Sequence, residues 1–471
     1  MSNRTIKNLK FEILAPLTLL INSSINEGIF PGIWKLGRVC PIHKRGAKTD
    51  ASNYRPIAIT SNVGKLAESV IRLQLSEALE KVLPDNMHGF RPHRSTETAL
   101  VQLMEKVKLY KSQGMKVALL ALDASAAFDL LDHNLIIRSL EAIGAGPVMI
   151  RWISHYLSSC EQYVDVAGTF SETWSSDVGV GQGKRLSSDL FNLGTLSYAI
   201  WSTILENTIF ADDGSDIVFA STDAELNTKL RSTADARISW FNLAGLTLNA
   251  SKSELLGFGT QPDPLLIDGT LIKPTNSIKF LGLTIQSDMK FTKHTEETAN
   301  KLRSAAGRIR SEGRNVTVAD RRVLFNGWIR SLVNFNGLAY LPHLCENQLQ
   351  QLTSAYNSGI RAIFGLPKSG YAPIDDLRCR LKLPSIDQLK EHLLFKEAWI
   401  RRNDFVRHTE GPITRGRANL KVPLADQRGF AGKRLASILP KYWNELPLDI
   451  KNLSNEKSAK LAIRKWVFNP N

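Results

Sequence analysis

"TIFADDGSDIVFA" runs from Thr208 to Ala220 and sets two adjacent aspartates, Asp212 and Asp213, between two short β-prone runs. The spacing predicts a hairpin whose tight turn passes through Asp213, Gly214 and Ser215. Upstream, "KVALLALDASAAFDLLDHNLIIRSLEAIG" spans Lys116 to Gly144. Its first seven residues, Lys116 to Leu122, read as a buried strand ending in Asp123. The following "SAAFDLLDHNLIIRSLEAIG" reads as a helix with Phe128, Leu131, Leu135 and Ile136 on one side and a stop at Gly144. Either acid alone is more often a cap or turn residue than a catalytic group. Asp123 and Asp212 at the ends of neighbouring strands are different, because two converging carboxylates repel unless a cation lies between them. Two Mg²⁺ ions on such a pair suit in-line phosphoryl displacement.

The chain has 471 residues, 43% of them hydrophobic and 22% charged, enough for a large core and two or more domains. We find no secretory leader and no apolar run long enough to span a bilayer, so an intracellular protein, nuclear or cytoplasmic and without a membrane partner, is expected. Cys40, Cys160, Cys345 and Cys379 lack metal-ligand spacing and read as reduced core thiols. Charge is uneven. Residues 1–290 carry 29 Lys and Arg against 29 Asp and Glu, whereas residues 291–471 carry 31 against 16. The whole net charge of +15 therefore sits in the C-terminal part and points to a polyanionic partner, nucleic acid before an anionic membrane.

Between the two acids lies "GVGQGKRLSSDLFNL" (Gly179–Leu193), a glycine-rich loop entering an apolar helix. After the hairpin come a helix around "TKLRSTADARISWFNLAG", then "LTLNASKSELLGFG" and "FLGLTI". This order resembles the polymerase palm of reverse transcriptases from non-LTR, LINE-like retrotransposons. "LDASAAFD" is similar to that family's first metal-binding motif, "FADD" to its second and "GQG" to its template-binding loop. "LTLNASKSE" and "FLGLTI" resemble the last palm motifs. Phe30–Glu68 and "HGFRPHRSTETALVQL" resemble its finger segments, and "LPKYWNELPLDIK" its closing segment.

The resemblance implies an α+β right-hand polymerase: fingers over 1–115, a palm with an antiparallel sheet over 116–290, a helical thumb over 291–400 and a basic C-terminal helical extension over 401–471. It implies an RNA-directed DNA polymerase using an RNA template, a DNA primer or target DNA, dNTP and two Mg²⁺ ions. Asp123 and Asp212 would hold the metals with the Ala124 carbonyl, and Asp213 would support them. Phe128 would be the gate under the incoming sugar; on spacing alone it is equally a core residue. Lys44 and Arg55 would meet the triphosphate, Gln182 the nascent pair and Lys252 the triphosphate. Arg91, Gly183 and Lys184 would touch nucleic acid. Helices in "KHTEETANKLRSAAGRIRSEGRN" and "ADRRVLFNGWIRSLVNF" would grip duplex phosphates with their arginines.

Several positions depart from the family pattern. Its loop reads Gly-x-Pro-Gln-Gly-Ser-x-Leu-Ser-Pro, but here Gly181, Lys184 and Ser188 replace Pro, Ser and Pro. Met87 stands where Gln commonly precedes "HGFRP". The family's N-terminal endonuclease is not in this sequence, so a primer from elsewhere is expected. Lys184 is read either as reaching the phosphate backbone or as filling the nascent-pair pocket. The second reading favours a degenerate relic that binds nucleic acid without polymerising. A group II intron-type enzyme is a further rival, disfavoured by the retrotransposon-like tail. Template identity and oligomeric state are not legible.

Overall fold

The computed structural model describes residues 2–44, 46–201, 206–367, 373–405 and 429–468. At its centre is a five-stranded sheet formed by β1 (Lys116–Ser125), β2 (Glu206–Phe210), β3 (Asp213–Ala220), β4 (Thr247–Gly257) and β5 (Pro274–Thr275). Their order is β5-β4-β1-β3-β2, and all neighbours are antiparallel except β5 beside β4. This is the sheet expected of the palm.

The continuous apolar run of β1 follows from burial on both faces. Val117 and Leu119 enter one core, with Leu100, Met104 and Val107 of helix α2 (Thr96–Ser112). Ala118, Leu120, Leu122 and Ala124 enter a second core, with Leu75 of helix α1 (Asn62–Val82), Phe191 of helix α3 (Ser187–Trp201), and Leu230 and Phe241 of helix α4 (Asp223–Leu243). Successive strand residues face opposite ways, so an uninterrupted apolar run belongs to a strand with no wet face. Each core draws on more than one of the expected segments. The first joins α2 to residues as distant as Ile463, so a chain ending near 290 would lose one cover of the central sheet.

A smaller sheet covers the N-terminal side. Strands Gly37–His43 and Tyr54–Ile59 form an antiparallel pair, and Cys160–Val166 runs parallel to the first. On the other side, helices α5 (Thr292–Glu312) and α6 (Glu346–Ile363) pack through Leu302, Ala306 and Ile309 against Leu352, Tyr356 and Ile360. Both helices fall within residues 291–400. Residues 406–428 of the expected basic extension lie outside the described residues. Among the described residues no helix is long and apolar enough to cross a membrane.

Four local expectations need correction. The hairpin turn comes earlier than Asp213: Phe210 pairs with Asp213, leaving Ala211 and Asp212 as its two loop residues, with Ala211 at φ +57°. The strand carrying Asp123 does not stop there but continues to Ser125. The helix after it is broken. Ala127–Leu130 ends at an extended Leu131, and His133–Ala142 starts afresh because Asp132 caps it by accepting from the Asn134 amide. Finally, of the four free thiols only Cys160 is buried; Cys345 and Cys379 are exposed.

Candidate active site

Register brings the acids together. Ala121 pairs with Ser215 across β1 and β3, so two residues further on Asp123 comes level with Asp213. Asp212 stands at the tip of the same hairpin. The hairpin is held from outside by the segment before it in sequence: Ile209 receives a bond from the His88 amide (2.8 Å) and donates to Asn86 (2.9 Å). Gly89 lies so close that a Cβ would fall 2.4 Å from the Ala211 nitrogen, so this glycine is required by close approach. Met87 is buried in the second core, where a thioether suits the apolar surroundings.

Beneath the hairpin is a buried charge that sequence reasoning missed. Asp216 is fully buried and accepts from Tyr198 Oη and Arg237 Nη1, at 2.5 and 2.9 Å. Gly214 leaves room for that guanidinium, since a Cβ there would lie 2.1 Å from Arg237 Nη2. An inward-facing acid on a strand needs a counter-charge, and Arg237 on the apolar face of α4 was the available signal.

On the other flank, β4 arches. Ala121 pairs with Glu254 but Asp123 with Asn249, so residues 250–253 bulge out of the ladder. The bulge places Lys252 Nζ 3.7 Å from Asp123 Oδ2 and lets the Ser253 hydroxyl accept from the Asp123 amide at 3.4 Å. Burial pushes the Asp123 carboxyl above its usual range, Lys252 opposes this, and Asp212 adds to it. Surrounding protein first, then Asp212 and Asp123, push the Asp213 carboxyl up to about 6. Asp123, Asp212 and Asp213 thus feel one another's charge, with Lys252 beside Asp123, but among the described residues no three acidic, histidine or cysteine side chains gather closely enough to form a ready-made metal site. Carboxylates are the donor type that a hard divalent ion takes.

This has a checkable consequence. An acid whose folded pKa lies above its unfolded value costs stability as pH rises through the interval between them. Asp213→Asn should therefore raise the Tm of the metal-free protein by a few degrees at pH 8. The gain should shrink as pH falls through about 6 and vanish near 4, measured by thermal melting in a chelating buffer.

Other expected residues gather unevenly. Half-buried Phe128 stacks on Phe191 at 4.1 Å and meets Phe90 edge-on. Gln182 donates from Nε2 to Asp129 Oδ2 at 3.0 Å, and the Lys44 charge acts on the same carboxyl. Lys44 and Arg55 are exposed at the loop end of the N-terminal hairpin. Gly183, at φ +104°, passes the Ala58 carbonyl, which a Cβ would approach to 2.8 Å.

Two of the expected nucleic-acid contacts turn inward instead. Arg91 is buried, paired with Glu80 at 2.7 Å and donating to the Pro84 and Met87 carbonyls, so its fork is consumed in holding the finger segment. Lys184 lines an open cavity with Lys65, Arg72 and Arg185. Its Nζ lies over the Tyr156 ring and 3.4 Å from Cys160 Sγ. Its charge acts on buried Glu68, which accepts from the Arg185 and Leu186 amides and from Tyr156 Oη. Several arginines within residues 291–400 also serve the fold: Arg310 donates to the Ser358 and Leu366 carbonyls and Arg321 to those of Gly313 and Ile363. Lys301, Arg303, Arg308, Arg314 and Arg322 remain exposed.

Residues 42–285 match the family described as reverse transcriptase (RNA-dependent DNA polymerase). The chain belongs to that family. Its relatives include the RNA-directed DNA polymerase from mobile element jockey of Drosophila melanogaster, 24% identical over 84% of this chain and 44% of that protein. The probable RNA-directed DNA polymerase from transposon X-element of the same species is 22% identical over 83% and 44%. A Pol polyprotein from a type-1 retrotransposable element R2 of Popillia japonica is 30% identical over 48% and 33%. The chain thus spans less than half the length of these relatives. Among solved structures, apo telomerase from Candida tropicalis aligns with a TM-score of 0.43 and 13% identity, over 85% of this chain and 72% of that one. The fold of this reverse transcriptase is the α+β right-hand type, with Asp123 and Asp213 on strands of its central sheet and Asp212 in the hairpin loop.

Proposed function

We propose that this reverse transcriptase is an active RNA-directed DNA polymerase of the non-LTR retrotransposon type. The observation that supports the reading is the placement of Asp123 on the strand beside the hairpin that carries Asp212 and Asp213, near enough for the charges to act on one another and raise the Asp123 and Asp213 carboxyls. In the reaction, a primer 3′-hydroxyl attacks the α-phosphate of a dNTP and pyrophosphate leaves. Asp123 and Asp212, with the Ala124 carbonyl, would hold two Mg²⁺ ions, and Asp213 would support them; when bound, such ions would supply charge neutralisation at the transferring phosphoryl group and acidify the attacking hydroxyl. Lys44 and Arg55 balance the triphosphate, Lys252 beside Asp123 adds a cation at the reacting end, and Gln182 orients the nucleotide. The partners are an RNA template and a DNA primer, gripped without sequence readout by exposed thumb cations such as Arg303, Arg314 and Arg322.

The relic reading rests on Lys184 obstructing the pair pocket; the position of its Nζ over Tyr156 and beside Cys160 Sγ supports the active reading instead. Primer extension on an RNA template with Mg²⁺ tests the proposal directly: template-dependent DNA synthesis supports it, and none from protein that binds template-primer overturns it. Sugar choice adds a second measurement. Phe128→Val removes ring volume beside the sugar, so ribonucleotide incorporation should rise about tenfold or more relative to deoxynucleotide. Unchanged discrimination would return Phe128 to a packing role against Phe191.

A further inference from the structure

We infer that the cavity around Lys108 is a separate anion site, which takes the phosphate group of a small phosphorylated ligand. Lys108 lies on α2 and is only 3% exposed, so its ammonium is out of water. Its Nζ donates to His343 Nε2 at 2.7 Å and to the Lys433 carbonyl at 3.1 Å. Neither acceptor carries a negative charge. Glu105, one turn back on α2, acts on Lys108 through space, but its carboxylate is committed to the Leu435 and Ala436 amides and lies beside Arg434. Among the described residues no carboxylate forms an ion pair with Lys108. A lysine is rarely buried without a counter-charge, because neutral acceptors return less than its desolvation costs. Burial pushes the Lys108 ammonium down to about 8; Glu105 opposes this, and Lys433 and Arg434 add to it. Burial, with the charges of Lys108 and Lys433, likewise holds His343 well below its usual range. His343 is therefore neutral, and with Nε2 accepting, its hydrogen is on Nδ1.

There is room for the missing counter-charge. Lys108 lines a cavity of about 750 Å³, a size that small ligands occupy. Lys290 and Lys433 line it with exposed side chains, against one acid, Asp288, whose Oδ1 already accepts from the Lys290 amide. Asn347 and Gln351, one turn apart on α6, add neutral donors, and the half-buried Phe430 ring adds an apolar wall. Three ammonium groups with amide donors beside them match a multiply charged oxyanion, for which charge-assisted bonds are the strong ones. The site is remote from the three aspartates. The Ser287 carbonyl, next to Asp288, accepts from Gly259, and the neighbouring Phe258 donates to the Val117 carbonyl at the start of β1. Asp123 comes six positions later on that strand, a distance on the order of 20 Å. The cavity walls come from α2, the chain entering α5, the start of α6 and residues 430–433, so a bound phosphate group would hold these four parts together.

The test titrates the full chain with inorganic phosphate, AMP and adenosine by calorimetry and thermal melting, in a chelating buffer of fixed ionic strength. Phosphate, AMP or both should bind and raise the Tm by a few degrees at about 100 times Kd. Adenosine, which lacks the phosphate, should do neither. Lys108→Met keeps the stem and removes the charge, so it should weaken binding at least about tenfold, the worth of a charge-assisted hydrogen bond. Lys433→Met should weaken it less, because that ammonium is exposed. Arg55→Gln, at the polymerase site, should leave binding unchanged. Binding of phosphate alone would identify the free ion as the source and tighter binding of AMP a nucleotide; either supports the site. If Lys108 only tethers the chain, Lys108→Met would lower the Tm but leave the response to phosphate and AMP intact, which would overturn the inference. So would binding of neither anion, adenosine binding as tightly as AMP, or loss of binding in Arg55→Gln. If Lys108→Met does not fold, Lys290→Gln with Lys433→Gln, which alters exposed side chains alone, decides by the same loss. No primer extension enters these measurements, so the polymerase reading and this site stand or fall separately.

Discussion

Asp123→Asn and Asp212→Asn should each reduce primer extension by at least about 10³-fold, the order expected when a preorganised charge at the reacting phosphoryl group is removed. Asparagine keeps the shape of the side chain but withdraws the negative charge that a divalent ion requires. Template-primer binding, measured by fluorescence anisotropy, should change little, because it relies on cations elsewhere. Asp213→Asn should cost less, since that residue sits at the start of its strand rather than at the hairpin tip. Folding is not expected to suffer. The three carboxylates repel in the absence of metal, so neutralising one relieves strain rather than creating it. Near wild-type extension by either Asp123→Asn or Asp212→Asn would remove both residues from metal binding.

The two acids were legible because their setting is written in apolar runs. "VALLAL" before Asp123 is a strand buried on both faces, and alternation across Val117 to Leu122 assigns its residues to two cores. The turn between the strands was misread for an instructive reason. Gly214 and Ser215 look like turn residues, yet Gly214 is there so that Arg237 can reach Asp216. Glycine can signal positive φ or close approach, and only the fold says which. Ala211, which does adopt positive φ, carries no such mark. The break in the following helix was visible in principle, since "LDHN" offers Asp132 as a cap, but helical periodicity on both sides concealed it.

Basic residues were the least legible class. Arg91, Arg310 and Arg321 have the composition of a phosphate-binding surface, but their guanidinium groups are spent on carbonyls and on Glu80. An arginine fork that satisfies main-chain acceptors leaves the same sequence signature as one that meets phosphate. Asp129 shows the converse. It sits one residue past a recognised motif position, and only the three-dimensional approach of Gln182 gives it a partner.

Restoring the family's loop pattern with Gly181→Pro and Lys184→Ser should fail to improve this enzyme, contrary to what the pattern alone suggests. Gly181 has φ +64°, whereas proline fixes φ near −65°, so the loop cannot keep its path with proline there. The two positions are also coupled in space. A Cβ on Gly181 would meet Lys184 Cε at 3.2 Å and Cδ at 3.6 Å, so the lysine stem occupies what a larger residue would need. Lys184→Ser alone should leave Glu68 buried with less compensating charge and lower the Tm by a few degrees, with modest loss of extension. Gly181→Pro alone should displace the adjoining Gln182, and misplacement of about 1 Å costs on the order of 100-fold. The double variant should remain well below wild type, because removing the stem relieves the clash but not the fixed φ. Melting curves and primer extension on the three variants separate these effects. Extension by the double variant above wild type would mean that Lys184 is a lesion and that the loop readily adopts the family's conformation once it is gone.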